Sequence, residues 1–402
     1  MSIYLDCNAT SPIEPEVVEK LTQYLTIDFG NEGSHTHEFG STAKKAVQEA
    51  RDNIVSLVDA SRNEIIFTSG ATESNNIAIL GLKEFGIKNN KKHIITSTIE
   101  HKAVLEPIEE LKKLGFEVDV LPVDQSGRVN PEDIQKKLKD ETLLVSIMHV
   151  NNETGIIQPI EEICKVIQNN DCFFHVDGAQ GFGKELDTLK NKRIDLISIS
   201  GHKIYGPKGI GALITRLRNY NKPPLQPLFF GGGQESKLRP GTLPVHLIVG
   251  LGVAAKVAKR DLKKRQTKNK VIFDKIINLV KDLKGELNGD EKYLLGNCIN
   301  FSIPGVDAEA FMLMTKDLIS ISNGSACTSS NYEPSHVIKS MTNNEDKLRG
   351  ALRFSWCHLT DRKIPVEEIE KKLKNILYLK IFTKKIKLQL LNYPLVIHSL
   401  CL

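Results

Sequence analysis

The sequence predicts an α/β fold, with a mostly parallel sheet that carries helices on both faces and a smaller α+β domain beside it. Between residues 64 and 200, short apolar strands alternate with helical segments, a pattern typical of parallel sheets covered on both faces. The segment 142–150 is strongly apolar, as expected of a strand buried on both sides. Polar side chains follow several of these strands, which predicts a ligand site at their carboxyl ends.

The N-terminal part is predicted to be a short strand running into a loop over 3–12, followed by a helix over 15–25. A glycine-rich loop over 28–40 then carries His35 and His37, whose spacing raises the possibility of a metal site. Because no third ligand is placed nearby, we interpret this loop as part of an active-site entrance.

Apolar periodicity predicts the remaining elements. Further strands are predicted over 64–68, 92–97, 116–121, 142–150, 172–177, 195–200 and 212–215. Helices are predicted over 40–59, 74–85, 103–114, 131–139 and 160–169, and a long helix over 246–284 leads to the smaller domain. Strands over 297–303, 319–322 and 351–355 are predicted in that domain.

Composition describes an ordinary globular protein. The chain has 402 residues, enough for two domains, with 40% apolar and 26% charged residues. The net charge of +5 comes largely from lysines near the C-terminus that are spaced as on a solvated helix face, so we predict no nucleic-acid site. We also predict no membrane helix and no secretion signal. The seven cysteines show no metal-type spacing and are expected to be reduced thiols in the cytoplasm.

The turn around Lys203 is the centre of the site prediction. Glycines lie on both sides of this lysine between two predicted strands, with Ser200 and His202 beside it. Glycine allows the backbone to approach a ligand closely. A desolvated lysine on such a turn has a lowered pKa, as an amine needs in order to attack a carbonyl. Alone, this stretch also fits an exposed hairpin lysine.

Residues 69–73 form a predicted tight turn between a strand and a helix, with Ala71 and Thr72 at the start of the helix. Free backbone N–H groups and the helix dipole make such a terminus a natural phosphate cradle. The turn matches neither the Walker A nor the dinucleotide motif. A capped helix without a ligand is an equal alternative for this segment.

Three polar side chains, His101, Asn152 and Asp177, fall just past the ends of predicted strands. Each has a purely structural explanation, as a loop histidine, a turn asparagine or a helix cap. Their shared position makes coincidence a weaker explanation. With Lys203 and the phosphate cradle, this edge offers an amine, an acid and an aromatic base, which are the groups that pyridoxal 5'-phosphate needs. No metal is required.

Nine motifs follow one another along the chain. They are SGATES at 69–74, EHKAV at 100–104, MHVNNE at 148–153, HVD at 175–177 with Gln180, SGHKIYGPK at 200–208, GGGQ at 231–234, GTLPV at 241–245, GSACT at 324–328 and RFS at 353–355. From residue 4 to about 359 the chain thereby resembles cysteine desulfurases of the IscS/NifS type, in the class V aminotransferase family. The resemblance implies the fold of pyridoxal phosphate-dependent transferases of fold type I.

The resemblance also implies roles for the predicted site residues. Lys203 would hold the cofactor and move the Cα proton of the substrate. Asp177 would pair with the pyridine nitrogen, Gln180 would hydrogen-bond the ring hydroxyl, and His101 would stack on the ring and handle protons. The phosphate would be held by Ala71, Thr72, Ser200 and His202, joined by Thr242 of the partner subunit in a homodimer.

For the substrate, L-cysteine, the resemblance implies that Arg353 binds the carboxylate with Asn152 assisting. Cys327 would attack the substrate sulfur, which leaves L-alanine and a persulfide on the enzyme. Two other readings use the same lysine and phosphate site, a class V aminotransferase and a selenocysteine lyase, and Cys327 separates the desulfurase from the aminotransferase. A further alternative is a dimeric binding platform with vestigial chemistry.

We predict a large cofactor-binding domain over 15–255, and a small domain formed by 1–14 and 256–402 that carries the cysteine loop and a lysine-rich C-terminal tail. The cysteine loop resembles the IscS type rather than the SufS type. The start of the chain and the loop over 28–40 resemble the DndA subgroup, which supplies sulfur for DNA phosphorothioation. The implied partner is a sulfur-acceptor protein, either an iron–sulfur scaffold or a DNA-modification enzyme.

Overall fold

A computed structural model describes residues 2–324, 335–361 and 363–374. Its strands are β1 (Ile3–Tyr4), β2 (Ile65–Thr68), β3 (His93–Ser97), β4 (Glu117–Leu121), β5 (Thr142–Ser146), β6 (Phe173–Asp177), β7 (Leu196–Ser200), β8 (Gly211–Thr215), β9 (Glu286–Leu287), β10 (Cys298–Ser302), β11 (Ile319–Ser320) and β12 (Ala351–Ser355).

The helices are α1 (Pro15–Thr26), α2 (Glu38–Val55), α3 (Ala71–Leu80), α4 (Lys83–Lys88), α5 (Lys102–Lys113), α6 (Pro131–Lys137), α7 (Ile160–Val166), α8 (Val245–Asp282), α9 (Ala308–Thr315), α10 (His336–Met341) and α11 (Glu345–Gly350), and residues 366–374 are also helical. Within the described ranges, no helix combines the length and the apolar character needed to cross a membrane.

Seven strands form the large sheet in the order β2-β8-β7-β6-β5-β3-β4. Strand β8 is antiparallel to both of its neighbours, and every other neighbouring pair is parallel. Parallel neighbours need long crossover connections, which the helices between these strands provide. The predicted mostly parallel sheet is confirmed.

Both faces of the sheet are covered by helices, because side chains alternate along each strand. On β2, Ile65 and Phe67 belong to an apolar cluster that includes Val47 of α2, whereas Ile66 points to the opposite cluster with Ile77 of α3. A strand buried on both sides has few polar positions, which explains the apolar strands of the sequence. The predicted helices on both faces are therefore also confirmed.

Helix α8 connects this sheet to a second apolar cluster. Ile248 near its start packs in the cluster beneath the large sheet, while Ile276 near its end packs around β10 and β12. Strands β12, β10 and β9 form an antiparallel sheet, and β1 pairs with β11. The division of the chain between 15–255 and the rest stays a prediction, which these two clusters support.

The segment predicted as one helix over 74–85 is two helices, α3 and α4. The backbone carbonyl of Gly81 accepts a hydrogen bond of 2.9 Å from the backbone N–H of Gln226, in a distant loop. That carbonyl is drawn toward the loop rather than along the helix axis. The prediction of one continuous helix is therefore wrong, because a tertiary contact interrupts the local pattern.

Candidate active site

The polar residues predicted at the strand ends do come together along one edge of the large sheet. Strands β3, β5, β6 and β7 are consecutive neighbours in the sheet and run in the same direction. His101 and Asn152 follow β3 and β5, while Asp177 and Ser200 are the last residues of β6 and β7. The carboxyl ends of these four strands therefore form one continuous site.

Lys203 is fixed in a tight 3₁₀ turn, Gly201–Lys203, directly after β7. Its Nζ donates hydrogen bonds to the backbone carbonyls of Asn8, at 2.5 Å, and Ala9, at 2.8 Å. The N-terminal loop thus holds the amine toward the edge of the sheet. This geometry excludes the alternative of a freely solvated hairpin lysine.

Asp177 is buried and accepts hydrogen bonds on both carboxylate oxygens. Asn75 Nδ2 donates to Oδ2 at 2.8 Å, and the backbone N–H of Ala179 donates to Oδ1 at 3.0 Å. Gln180, three residues on, donates from Nε2 to the carbonyl of Asn8 at 3.0 Å. The carboxylate is therefore held rigidly by donors, as a partner for a protonated ring nitrogen requires.

The predicted phosphate cradle is a strand–turn–helix junction. Helix α3 begins at Ala71 directly after Gly70, so the N–H groups of its first turn have no helical acceptors. A side chain on Gly211 of β8 would place its Cβ 2.7 Å from the Cα of Gly70, so glycine is required where the two backbones meet. Thr72 is exposed at this terminus.

His202 lies beside this cradle and is anchored by the N-terminal loop. Its Nδ1 lies 3.1 Å from Thr10 Oγ1, and its backbone carbonyl accepts a 2.6 Å hydrogen bond from Ser11 Oγ. Burial, helped by the positive charge of Lys203, lowers the pKa of His202 to about 4. The ring is therefore neutral at physiological pH and would meet an anion as a hydrogen-bond donor.

His101 caps helix α5, since its Nδ1 accepts a 3.0 Å hydrogen bond from the backbone N–H of Ala103. The neutral ring consequently carries its proton on Nε2. Burial lowers the pKa of His101, and the nearby Asp177 opposes this effect only in part. A neutral imidazole in this tautomer, near the positive charge of Lys203, offers an N–H donor at Nε2.

Arg353 of β12 is buried against the same edge. Its Nη1 donates to the carbonyl of Asn152 at 3.1 Å, and its Nη2 forms a 2.6 Å ion pair with Asp6. The Asn8 amide also donates to the carbonyl of Asn152, at 3.1 Å. These contacts fix the guanidinium close to the predicted substrate-binding asparagine.

The remaining predicted site residues are Cys327 and Thr242. Cys327 lies outside the described residues. Glu153 contacts the described ends of its loop: Ser335 Oγ donates to Glu153 Oε2 at 2.5 Å, and a Cβ on Gly324, where φ is +93°, would lie 2.8 Å from the same oxygen. Thr242 is exposed on this chain.

Sequence reasoning missed several residues that build the site. Asp6 holds Arg353, Asn8 holds Lys203 and Asn75 holds Asp177. Glu100 holds the segment before His101, and Glu153 holds the ends of the cysteine loop. The polar run that follows the first strand was the available signal for Asp6 and Asn8. Nothing in the local pattern around Asn75 distinguished it from an ordinary helix residue.

Comparison with known proteins identifies the family. The family described as Aminotransferase class-V matches residues 3–369. Cysteine desulfurase IscS from Rickettsia massiliae (strain Mtu5) is 46% identical over 358 residues, which cover 88% of this chain and 86% of that protein.

Solved structures of similar proteins superpose on this chain over most of its length. A NifS-like protein superposes with a TM-score of 0.84 at 32% identity, covering 95% of this chain and 100% of that chain. The crystal structure of DndA from Streptomyces lividans gives a TM-score of 0.78 at 46% identity, covering 88% and 99%. The predicted resemblance is confirmed, and the chain belongs to the class V aminotransferase family.

Proposed function

We propose that this chain is a pyridoxal 5'-phosphate-dependent cysteine desulfurase, which converts L-cysteine to L-alanine and carries the removed sulfur as a persulfide on Cys327. The observation that carries the proposal is the placement of the Lys203 amine and the Asp177 carboxylate at adjacent strand ends, beside a helix N-terminus. The likeness to IscS and DndA supports the same reaction.

The site fits the cofactor. Lys203 would hold its aldehyde, Asp177 its pyridine nitrogen and Gln180 its ring hydroxyl. The phosphate would rest on Ala71 and Thr72 of the α3 terminus, Ser200, the neutral His202, and Thr242 of the partner subunit. When bound, pyridoxal phosphate supplies an electron-withdrawing ring that stabilises negative charge at the substrate Cα.

The chain's own residues then bind and orient the substrate. The guanidinium of Arg353 would hold the carboxylate of L-cysteine through paired hydrogen bonds, with the Asn152 amide assisting. Once the substrate amine displaces it, the Lys203 amine is free to move the Cα proton. His101, neutral because burial lowers its pKa, would stack on the cofactor ring and offer its Nε2–H to the reacting groups as a hydrogen-bond donor.

Sulfur transfer needs no further reactant. The Cys327 thiolate would attack the substrate sulfur, so that an S–S bond forms and the Cβ–S bond breaks. The electron pair of the broken bond goes to Cβ, which takes up a proton and yields alanine. The electron pair of the Cβ–S bond therefore stays with the two reactants, Cys327 and L-cysteine, and no oxidant is needed. The product on the enzyme is one persulfide.

We infer that the enzyme acts as a homodimer in the cytoplasm and passes its sulfur to an acceptor protein. The exposure of Thr242 supports the dimer, and the five described cysteines, all free and buried, support a reducing compartment. The acceptor would belong to iron–sulfur cluster assembly or to DNA phosphorothioation. Measuring transfer of labelled persulfide sulfur to a purified scaffold and to a purified modification enzyme distinguishes the two.

The test of the reaction is a mass spectrum of the holoenzyme after brief exposure to L-cysteine, with Cys327→Ala alongside. The proposal expects one added sulfur atom on the Cys327 peptide and release of alanine, both absent in the variant. A bound cofactor without persulfide would favour the aminotransferase reading, and turnover of selenocysteine but not cysteine would favour the lyase. Borohydride trapping that left Lys203 unmodified would contradict the whole assignment.

A further inference from the structure

A cavity of about 370 Å³ lies beside the proposed cofactor site and is separate from it. Its walls come from the segment after β6, from the turn after β7, from helix α8 and from residues 291–297. Neither His101, Asp177 nor Lys203 lines it. The function proposed above assigns this cavity no role.

Lys184 lines this cavity and is a cation without a carboxylate partner among the described residues. The one hydrogen bond given for its side chain in the described part of the chain runs from Nζ to Gln180 Oε1, at 3.1 Å. The groups around it are three buried thiols, Cys7, Cys298 and Cys357, and the like charge of Arg265. A partly buried ammonium in such surroundings is stabilised by an anion.

Two further residues that line the cavity have polar side-chain atoms without a hydrogen-bond partner among the described residues. Arg265 is buried and pairs with Glu14 through Nη2 at 2.5 Å, but its Nε and Nη1 have no partner among the described residues. The side-chain oxygen Oδ1 of Asn269, one turn along α8, also has none there. Buried polar atoms without partners are uncommon in folded proteins. They mark this cavity as one that is built to hold a polar ligand group.

Part of the cavity lining is apolar. Tyr205, Leu262 and Phe273 line it, and the Arg265 guanidinium lies 4.8 Å from the centre of the Tyr205 ring. Pockets that hold small molecules combine apolar walls with a few such converging polar groups. The charge of the lining is positive, since Lys184, Arg265 and Lys270 outnumber Glu291.

We propose that this cavity binds a small amphipathic monocarboxylate, with the carboxylate against Lys184 and an aromatic or branched apolar body against Tyr205, Leu262 and Phe273. A carboxylate supplies the acceptors that Lys184 and Arg265 lack. Binding of the monocarboxylate does not depend on the desulfurase reaction, because the residues that would bind it are not the residues assigned to the cofactor or to L-cysteine.

The test is isothermal titration calorimetry of the full-length holoenzyme with phenylacetate and with its neutral match, phenylacetamide. Phenylacetate should bind at one site with saturation, and phenylacetamide about tenfold more weakly, because one charge-assisted contact is lost. Lys184→Met should remove this preference for the acid. Lys264→Met, an exposed lysine on α8, is the matched control and should keep it.

A second variant, Leu262→Trp, places a larger side chain in the cavity and should weaken phenylacetate binding at least tenfold. Its circular dichroism spectrum, compared with that of the parent protein, shows whether it folds. The proposal is overturned if the parent protein shows no saturable binding at millimolar phenylacetate. It is equally overturned if folded Leu262→Trp binds phenylacetate as well as the parent does.

Discussion

Glu153 is a buried carboxyl group that links the two described ends of the cysteine loop. It accepts from Ser335 Oγ, and it lies close to Gly324, where the positive φ of +93° and the 2.8 Å between an added Cβ and Glu153 Oε2 both favour glycine. Burial raises the pKa of Glu153, against the opposing effects of Ser335 and the positive charges nearby. We interpret Glu153 as a positioning residue for the loop.

We expect Glu153→Ala to lower kcat for desulfuration of L-cysteine about tenfold, because a buried hydrogen bond of this kind contributes about 1–3 kcal/mol. Glu153→Gln should retain most of the activity, since its amide oxygen can still accept from Ser335 Oγ. The visible absorption of bound cofactor should be unchanged in both variants. Equal losses in the two variants would contradict the positioning role.

Glu100 is fully buried below His101. Ser97 Oγ and the backbone N–H of Met148 donate to its Oε1, at 2.6 and 3.0 Å, while Oε2 has no partner among the described residues. Burial raises the pKa of Glu100 to about 8 from an ordinary value of 4.5. The folded protein therefore keeps a proton here that the unfolded chain loses between those two pH values.

The sign of the resulting pH dependence follows from this difference in bound protons. Between pH 5 and 8 the Glu100 proton makes the free energy of unfolding fall as pH rises, by up to about 1.4 kcal/mol per pH unit. Glu100→Gln should remove this contribution, so its stability relative to the parent rises with pH. Urea unfolding at several pH values measures it, with the exposed Glu106→Gln as control. A parallel pH dependence in parent and Glu100→Gln would refute the assignment.

At the scale of elements, the close crossing of α2 and α8 supports the large sheet. Gly252 of α8 packs directly on Ala50 of α2, and a Cβ at Gly252 would lie 2.6 Å from the Ala50 Cα and Cβ. Two helices can approach this closely only where one of them has no side chain. The same helix continues into the second apolar cluster, so its position affects both ends of the molecule.

We expect Gly252→Val to destabilise the protein by about 1–3 kcal/mol, because the added side chain must push α2 and α8 apart. This loss should occur even though valine favours helix more than glycine does. Lys264→Val, at an exposed position of the same helix, should change the urea midpoint far less. Similar midpoints for the two variants would show that the helices can separate without cost.

At the scale of the whole molecule, two regions of the surface carry exposed aromatic residues. Phe29 and Phe39 stack with ring centres 5.3 Å apart and are 67% and 51% exposed, and Phe230 is 88% exposed. Phe230 lies in the loop that precedes Thr242. Exposed apolar surface of this kind is typical of protein–protein interfaces, which supports the proposed homodimer.

We expect sedimentation velocity to give twice the chain mass of 44.9 kDa for the parent protein. Phe230→Asp should shift the equilibrium toward monomer and weaken cofactor retention, because Thr242 of the partner subunit would be lost from the phosphate site. Tyr220→Asp changes an equally exposed aromatic residue of the same connecting segment, 97% exposed, and should leave the dimer intact. A parent protein that sediments as a monomer would contradict the dimer.

The fold class, the order along the chain of the seven strands of the large sheet and the family could all be predicted from the sequence. Alternating apolar strands and helices are local patterns, and motifs such as the turn around Lys203 are contiguous in the chain. Strand direction then places His101, Asn152 and Asp177 at one edge, because parallel strands end on the same side. These features need no knowledge of long-range contacts.

The contacts that hold the site residues in place could not be predicted in this way and are visible only in the folded protein. Lys203 is held by Asn8, Arg353 by Asp6, and Ser335 by Glu153, and these partners are 195, 347 and 182 positions apart in the chain. The break between α3 and α4 and the cavity beside Lys184 have the same origin. Each depends on how distant segments pack against one another, and the free energy of such packing leaves no pattern in a short stretch of sequence.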